Sequence, residues 1–341
     1  MQATTIGLDL AKRVFQLHGV TEDGEVVLRR QIRRSEMLAF FKKLSPCVIG
    51  MEACASAHYW ARELSALGHT VRLMPATYVK PYAKRGKSDA IDAEAICEAV
   101  TRPTMRFVPI KSAEQQSVVM LHRTRDLLVR QRTMLVNALR GHLGEFGVVG
   151  AKGISQLPDL LAVASSTPVC QLPDLARECI ELLLVQIEDL QRRIALVERS
   201  IARWHRTNEV SRRLETIPGV GMITASAVTA LVPDATNFRS ARQFAAWVGL
   251  TPRLNGTGGK IQLGRVSKAG NRYLRRLLTL GATSLVRHAR RKPEKAVWIS
   301  ALLARRPTRV VITAIANKLA RIVWAVLSGG ESFRRPQTAV A

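Results

Sequence analysis

This sequence reads as one without paired cysteines, a leader segment or a long apolar run. Its five cysteines, Cys47, Cys54, Cys97, Cys170 and Cys179, are odd in number, and none forms a CxxC pair. That argues against a disulfide framework or a thiolate metal clip and reads as reduced core residues of a cytoplasmic protein. The opening MQATTIGLDLAKRVF has no basic segment followed by an apolar run, so no secretory signal is expected. No stretch approaches the roughly 18 to 20 apolar residues of a spanning helix, so no membrane association is expected. Acids are also scarce. There are 26 Asp and Glu against 52 Lys and Arg, a formal net charge of +26. Such an excess calls for a polyanionic partner, and nucleic acid is the default. Hydrophobic residues still make up 47% of the 341 positions, enough for a buried core and for two or three domains.

What is present falls into three stretches. Residues 5–110 alternate strand and helix signals. Thr5 to Leu10, Arg13 to Val20 and Val26 to Ile32 read as an antiparallel meander, turned at Asp23-Gly24. Ser35 caps a helix through Leu44. Cys47 to Glu52 is a buried strand, Ala57 to Leu67 a helix ending at Gly68, His69 to Met74 a strand, and Ser88 to Val100 a helix. This is an α/β layout with a mixed sheet. Residues 112–146 form a long helix, and 147–173 read as a connector. Ile180, Leu183, Ile187, Leu190, Ile194, Val197, Ile201 and Trp204 then alternate steps of three and four, an a/d seam. It pairs either with the 112–146 helix or with another subunit. From Arg212 onward, short helices and Gly-rich turns read as a separate, basic helical domain.

Carboxylates carry the chemistry of the first stretch. Asp9 interrupts an apolar strand, Glu52 ends another, and Asp89 and Asp92 share one helix face at i, i+3. If the first strand is central, the first and fourth strands are neighbours and these acids converge. Four oxygen donors around a small gap suit Mg²⁺ in phosphoryl transfer. Taken alone, Asp89 and Asp92 read first as first-turn acids serving the helix dipole; it is the joint pattern with Asp9 and Glu52 that points to a metal site. His58 and His69 read as surface residues, and Glu94 and Glu98 as solvated.

In the last stretch, Ile217-Pro218-Gly219-Val220-Gly221 lies between two helical runs and resembles a helix-hairpin-helix turn. There Gly219 and Gly221 would let backbone N–H groups approach phosphate, although a plain helix–helix turn has the same form. Further on, a glycine-rich loop presents Thr257 ahead of clustered cations, which suits phosphate binding or a hydroxyl nucleophile. Candidate nucleic-acid contacts are Arg253, Lys260, Arg265, Lys268, Arg272, Arg275 and Arg276, joined by Lys84, Arg85 and Lys87 ahead of the acid pair.

Read in order, GLDLAK, Met51-Glu52-Ala53, KSDAIDA, IPGVG, FAAWVGLTPR and GRVSKAGNRYLRR resemble the DEDD-type insertion-sequence transposases of the insertion-sequence 110 family, closer to its 1111 branch. The resemblance covers nearly the whole chain. It implies a ribonuclease-H-like (RuvC-like) α/β domain over residues 1–110, long helices and a coiled coil over 111–211, and a mainly α-helical C-terminal transposase domain over 212–341. It implies that Asp9, Glu52, Asp89 and Asp92 are a tetrad binding Mg²⁺. It further implies a structured noncoding guide RNA alongside DNA, and a homo-oligomer, dimer or tetramer, in which acids and nucleophile meet across subunits. The family joins DNA covalently to a serine directly before glycine in the loop after GLTPR. That position is Thr257 here, and the place before it, often serine in related sequences, is Gly256. Ser267 is the nearest other hydroxyl, within a basic motif. Two further readings use the same residues: a RuvC-like nuclease with water as nucleophile, and a non-catalytic nucleic-acid-binding assembly protein.

The charge excess makes a quantitative prediction. Binding to duplex DNA should weaken by about 10³- to 10⁵-fold between 50 and 200 mM salt if roughly six to ten phosphates are neutralised. A salt titration of affinity reads this directly, and a flat profile would contradict the electrostatic account.

Overall fold

The computed structural model describes residues 2–84, 88–166 and 172–334. The chain divides into two compact units, residues 1–116 and 117–341.

The first unit is built on a five-stranded mixed sheet. Strands β1 (Thr5–Leu10), β2 (Val14–Val20) and β3 (Val26–Arg33) form the antiparallel meander, with Gly24 at a φ of +87° in the connecting turn. After α1 (Met37–Phe41), β4 (Val48–Glu52) pairs in parallel with β1. Helix α2 (Ala57–Ala66) leads to β5 (Thr70–Met74), and α3 (Ala76–Val79) precedes α4 (Asp89–Val100). The strand order is β3-β2-β1-β4-β5, so β1 is central and touches β4. The helix expected from Ser35 to Leu44 is shorter. Its entry is closed by Glu36, whose carboxylate accepts the Arg33 backbone N–H at 3.0 Å, rather than by Ser35.

Strand alternation splits this sheet into two chemically different faces. Ile6, Leu8, Phe15, Leu17, Ile49 and Met51 point to one face and share a core with Trp60, Ala61 and Leu64 of α2. On the other face, Gly7 and Gly50 sit side by side in the parallel register. A Cβ on Gly7 would lie 2.2 Å from the Ala93 carbonyl oxygen, and one on Gly50 would lie 2.8 Å from Val100 Cβ. The glycines thus let α4 rest on the strand backbone itself. His69 is buried, contrary to expectation. Its Nδ1 accepts the Cys47 backbone N–H at 3.3 Å, which leaves Nε2–H to donate to the Phe41 carbonyl at 3.1 Å. Among the cysteines, Cys47 and Cys97 are buried as expected, whereas Cys54 and Cys179 are exposed. Cys170 lies outside the described residues.

The second unit starts within α5 (Ala113–Glu145), followed by α6 (Leu157–Ser166) and α7 (Asp174–Thr207). The connector expected over 147–173 therefore contains a helix. Leu157 and Leu160 bury themselves among Val136, Leu139 and Leu143 of α5 and Ile180 and Ile187 of α7, and that burial outweighs the segment's Gly and Ser content. Every seventh residue of α7, Ile180, Ile187, Ile194 and Ile201, is buried. The remainder comprises α8 (Glu209–Glu215), α9 (Met222–Leu231), α10 (Ala241–Val248), a hairpin of β6 (Pro252–Thr257) and β7 (Lys260–Val266), α11 (Arg272–Arg291), α12 (Val297–Arg305) and α13 (Thr308–Gly329). The expectation that no segment approaches a spanning helix is corrected by α13. It is long and apolar enough by length and composition, with a mean hydropathy of 1.8 over its most apolar window. One stripe of it, Val311, Ile315, Leu319 and Val323, packs in the core with Phe244 of α10 and Leu278 of α11.

Gly7→Ala should destabilise the protein by about 3 kcal/mol or more, because the obstacle is helix backbone and cannot rotate away. Gly144→Ala, on an open helical surface, should be neutral or stabilising by up to ~1 kcal/mol. Chemical denaturation of the two variants checks the contrast.

Candidate active site

The acids are positioned by the sheet and by α4. In the parallel ladder, Leu8 stands opposite Met51, so one residue further along Asp9 and Glu52 leave the carboxyl ends of neighbouring strands on the glycine face. Helix α4 continues that face. Asp89, Ala93, Cys97 and Val100 recur at helical spacing, and the last three press on Gly7 and Gly50. The same stripe therefore carries Asp89 beyond the glycines toward Asp9. Ser88 caps the helix by accepting the Ile91 N–H at 3.3 Å.

One carboxylate oxygen each from Asp9, Asp89 and Asp92 lies within 4.8 Å of the others. Glu52 stands outside this triad yet feels it. Burial, then the charges of Asp9 and Asp92, hold its carboxyl above the usual range. Asp9 is pushed up to about 6, first by burial and then by Asp92 and Asp89, with the Leu10 backbone N–H opposing. This crowding of like charges, partly removed from water, is relieved when a cation enters. The donors are all hard oxygens, at the spacing and of the type that suits a divalent ion such as Mg²⁺. Lys84 instead pairs with Glu94 at 2.5 Å, so Glu94 is not simply solvated. Glu98 pairs with Arg102. Arg85 and Lys87 lie outside the described residues. His58 holds Lys111 through both ring nitrogens, with Nδ1 accepting the backbone N–H at 3.3 Å and Nε2 lying 2.9 Å from Nζ.

Thr257 belongs to the second unit, and the expected glycine-rich loop is a β-hairpin. Thr257 ends β6 opposite Lys260, and Gly258 and Gly259 turn the chain at φ values of +56° and +78°. Two successive positive-φ residues are the signature of a type I′ turn. Thr257, Arg253, Lys260 and Arg265 are all exposed on it. Lys268 and Arg272 are exposed just beyond. Arg275 serves the fold: its guanidinium donates to the Val248 and Ala269 carbonyls at 2.9 and 2.7 Å. Arg276 pairs with Asp126 and lies over the Tyr273 ring. Gly219 takes a φ of +86°, and a Cβ on Gly281 would meet its carbonyl oxygen at 2.0 Å. Gly219 therefore seats the turn on α11, while Gly221 is exposed at the start of α9.

Two features escaped the sequence reading. Gly7 and Gly50 carried a signal, since isolated glycine in a strand marks a close backbone approach. The bridge from His122 to the Tyr273 hydroxyl (3.0 Å) and the Ser226 hydroxyl (3.1 Å) joins residues too distant in sequence to leave one.

The Asp9 shift sets a pH dependence. The folded state binds this proton more tightly than the unfolded state, so its stabilising contribution is complete below pH ~3.8 and is lost as pH rises through about 6. The metal-free melting temperature should fall across that window, and Asp9→Asn should flatten the fall. Mg²⁺ should raise the parental melting temperature above pH 6 and leave the Asn variant less affected. Thermal scans with and without chelator test all three.

Residues 6–147 match the family profile of DEDD-type IS110 transposases, and residues 211–297 match that described as "Transposase IS116/IS110/IS902 family". The chain is 50% identical, over 98% of its length and 99% of the relative's, to a Pseudomonas aeruginosa protein named "Probable family 20 transposase". It is 39% identical to the transposase for insertion sequence element IS1328 of Yersinia enterocolitica, over 97% of this chain and 99% of that one. It is 38% identical to the transposase for insertion sequence element IS1111A of Coxiella burnetii, over 96% and 91%. With both halves matched and relatives of this identity spanning almost the whole chain, the protein belongs to the IS110 family and is a DNA transposase of the DEDD type with a RuvC-like fold in its first unit.

Proposed function

We propose that the protein is an RNA-guided recombinase that exchanges DNA strands with Mg²⁺ at Asp9, Glu52, Asp89 and Asp92 and with Thr257 as nucleophile. The observation that carries the metal reading is the convergence of three carboxylates within 4.8 Å, with Asp9 pushed up to about 6. Bound there, Mg²⁺ supplies positive charge for the developing oxyanions of phosphoryl transfer. The carboxylates hold and orient it. In the exchange, Thr257 Oγ bonds to phosphorus as the bond from phosphorus to one sugar oxygen breaks. The hydroxyl proton leaves with that sugar oxygen; a second strand's sugar hydroxyl later bonds to phosphorus as the Thr257 oxygen–phosphorus bond breaks, and its proton returns to Thr257. The exposed hairpin tip, among Arg253, Lys260 and Arg265, suits a nucleophile delivered to DNA. Gly221, Lys268 and Arg272 are further exposed phosphate contacts of this unit, joined by Lys84, Arg85 and Lys87 from the segment that precedes Asp89 in sequence.

We read residues 1–110 as the catalytic domain, 111–211 as helical and coiled-coil spacer, and 212–341 as the transposase domain. The guide RNA rests on family membership and on the excess of cations. Assembly as a dimer or tetramer is supported by a second, exposed stripe on the helical pair. Met120, Leu127 and Met134 of α5 are seven apart and 63%, 48% and 69% exposed, which is the spacing of a further helix-packing seam.

Asp9→Asn should lower strand exchange by at least about 100-fold while leaving DNA affinity unchanged. Incubation of the parent with element-end DNA should give a protein–DNA adduct on denaturing gels, and Thr257→Ala should lose it. Undiminished exchange by Asp9→Asn would remove the carboxylates from the mechanism. An adduct that survives in Thr257→Ala would move the nucleophile elsewhere, and efficient cutting without any adduct would favour water.

A further inference from the structure

Beyond the acids, the same end of the sheet carries a cleft lined by cations and aromatic rings. The turn from β1 to β2 holds Lys12 and Arg13, and the end of β3 brings Arg33 and Arg34 beside them, since Val14 pairs with Arg33 and the Arg34 N–H donates to the Arg13 carbonyl at 2.9 Å. With Tyr59 and Trp60 of α2 these four cations line an open cleft of about 810 Å³. Its floor is aromatic. Tyr59 is 43% exposed and meets Trp60 edge-on at 5.0 Å between ring centres. The Arg34 guanidinium lies 5.1 Å from the centre of the Trp60 ring. Trp60 is 4% exposed, and its buried indole N–H has no hydrogen-bond partner among the described residues. A buried donor left unmatched marks a place where a ligand or water acceptor belongs. Among the described residues, no carboxylate lines the cleft. The nearest acid in sequence, Glu36, is engaged with the Arg33 backbone.

Cations at the rim and rings at the floor match one ligand chemistry, a phosphate attached to a base whose face is free. Stacking on an aromatic side chain needs an unpaired base, because a duplex keeps both base faces covered. The location narrows the source. Lys12 and Arg13, in the turn that leaves β1, follow Asp9 by three and four residues, at most about 10 to 14 Å of chain. A DNA strand with its phosphate at the acids would cross the carboxyl edge of β1 and meet these cations within a few nucleotides. We infer that this cleft binds an unpaired nucleotide of the DNA strand under reaction, with its base stacked on Tyr59 and its phosphates held by Arg13 and Arg33. The position beside the acids rests on the metal-site reading above, but the test does not.

The test uses the full chain with chelator present, so that the acids play no part, and fluorescein-labelled oligothymidylate as probe, read by anisotropy. Tyr59→Leu should weaken single-strand binding about tenfold, whereas Tyr59→Phe, which keeps the ring, should stay within about twofold of the parent. Arg13→Gln combined with Arg33→Gln should lower the salt slope by about 1.4, the value for two single-strand phosphate contacts. Single-stranded DNA carrying 5-iododeoxyuridine should photocrosslink to the peptide containing Tyr59. Unchanged affinity in Tyr59→Leu, equal losses on a blunt duplex and on the single strand, or a crosslink formed by iodouridine RNA and not by DNA would each overturn the inference.

Discussion

The distance between a helix backbone and a strand backbone governs the first unit. Helix α4 can lie on β1 and β4 only because positions 7 and 50 carry no side chain, and both would otherwise drive a Cβ into α4. Lifting α4 by the thickness of one methyl group would carry Asp89 and Asp92 away from Asp9. The charge cluster, the raised Asp9 pKa and the capacity for a divalent ion all descend from that contact. The acids themselves oppose the arrangement, since three carboxylates at this spacing repel one another. Packing of Ala93, Cys97 and Val100 on the glycine face supplies the attraction that holds them together.

The opposite face of the sheet follows the ordinary logic of burial. Large side chains fill it, and α2 lies further off, on Trp60, Ala61 and Leu64. A single sheet thus presents a thin face, where backbone meets backbone and polar groups gather at the edge, and a thick face, where apolar volume supplies stability. The cleft at Tyr59 opens where the thick face runs out at the carboxyl end of the strands, beside the β1–β2 turn. In the second unit, glycine performs the same service: Gly219 and Gly281 bring the turn before α9 against α11. The cations around that core divide by role. Arg275 and Arg276 are engaged by carbonyls, a carboxylate and a ring, while Lys260, Arg265, Lys268 and Arg272 stand in solvent.

Much of this was legible from local pattern. Strand alternation, apolar runs and the Asp23-Gly24 turn located the five strands of the sheet to within a residue or two, because four of them carry a buried face of their own and the turn marks where the largely exposed β3 begins. The carboxylate at position 9 was visible because charge inside an apolar run is costly, that at 52 because it ends a buried strand, and those at 89 and 92 because their i, i+3 spacing puts them on one helix face. Local pattern failed where neighbours from elsewhere decided the outcome. Residues 157–166 look like connector until Leu157 and Leu160 find partners on α5 and α7. His69 looks exposed until Cys47 and Phe41 offer it hydrogen bonds. Thr257 looks loop-borne until β7 pairs with β6.

The sequence alone determined the alternation of elements, the apolar and cationic inventory, and the identity of the acids, because these depend on residue type and on spacing within one segment. Tertiary structure decided which of those acids meet, which arginines are spent on carbonyls, and where cations and aromatic rings combine into a cleft. Those outcomes depend on the approach of segments far apart in the chain. That approach is set by the volume of side chains at the contact, down to the absence of a single Cβ at Gly7.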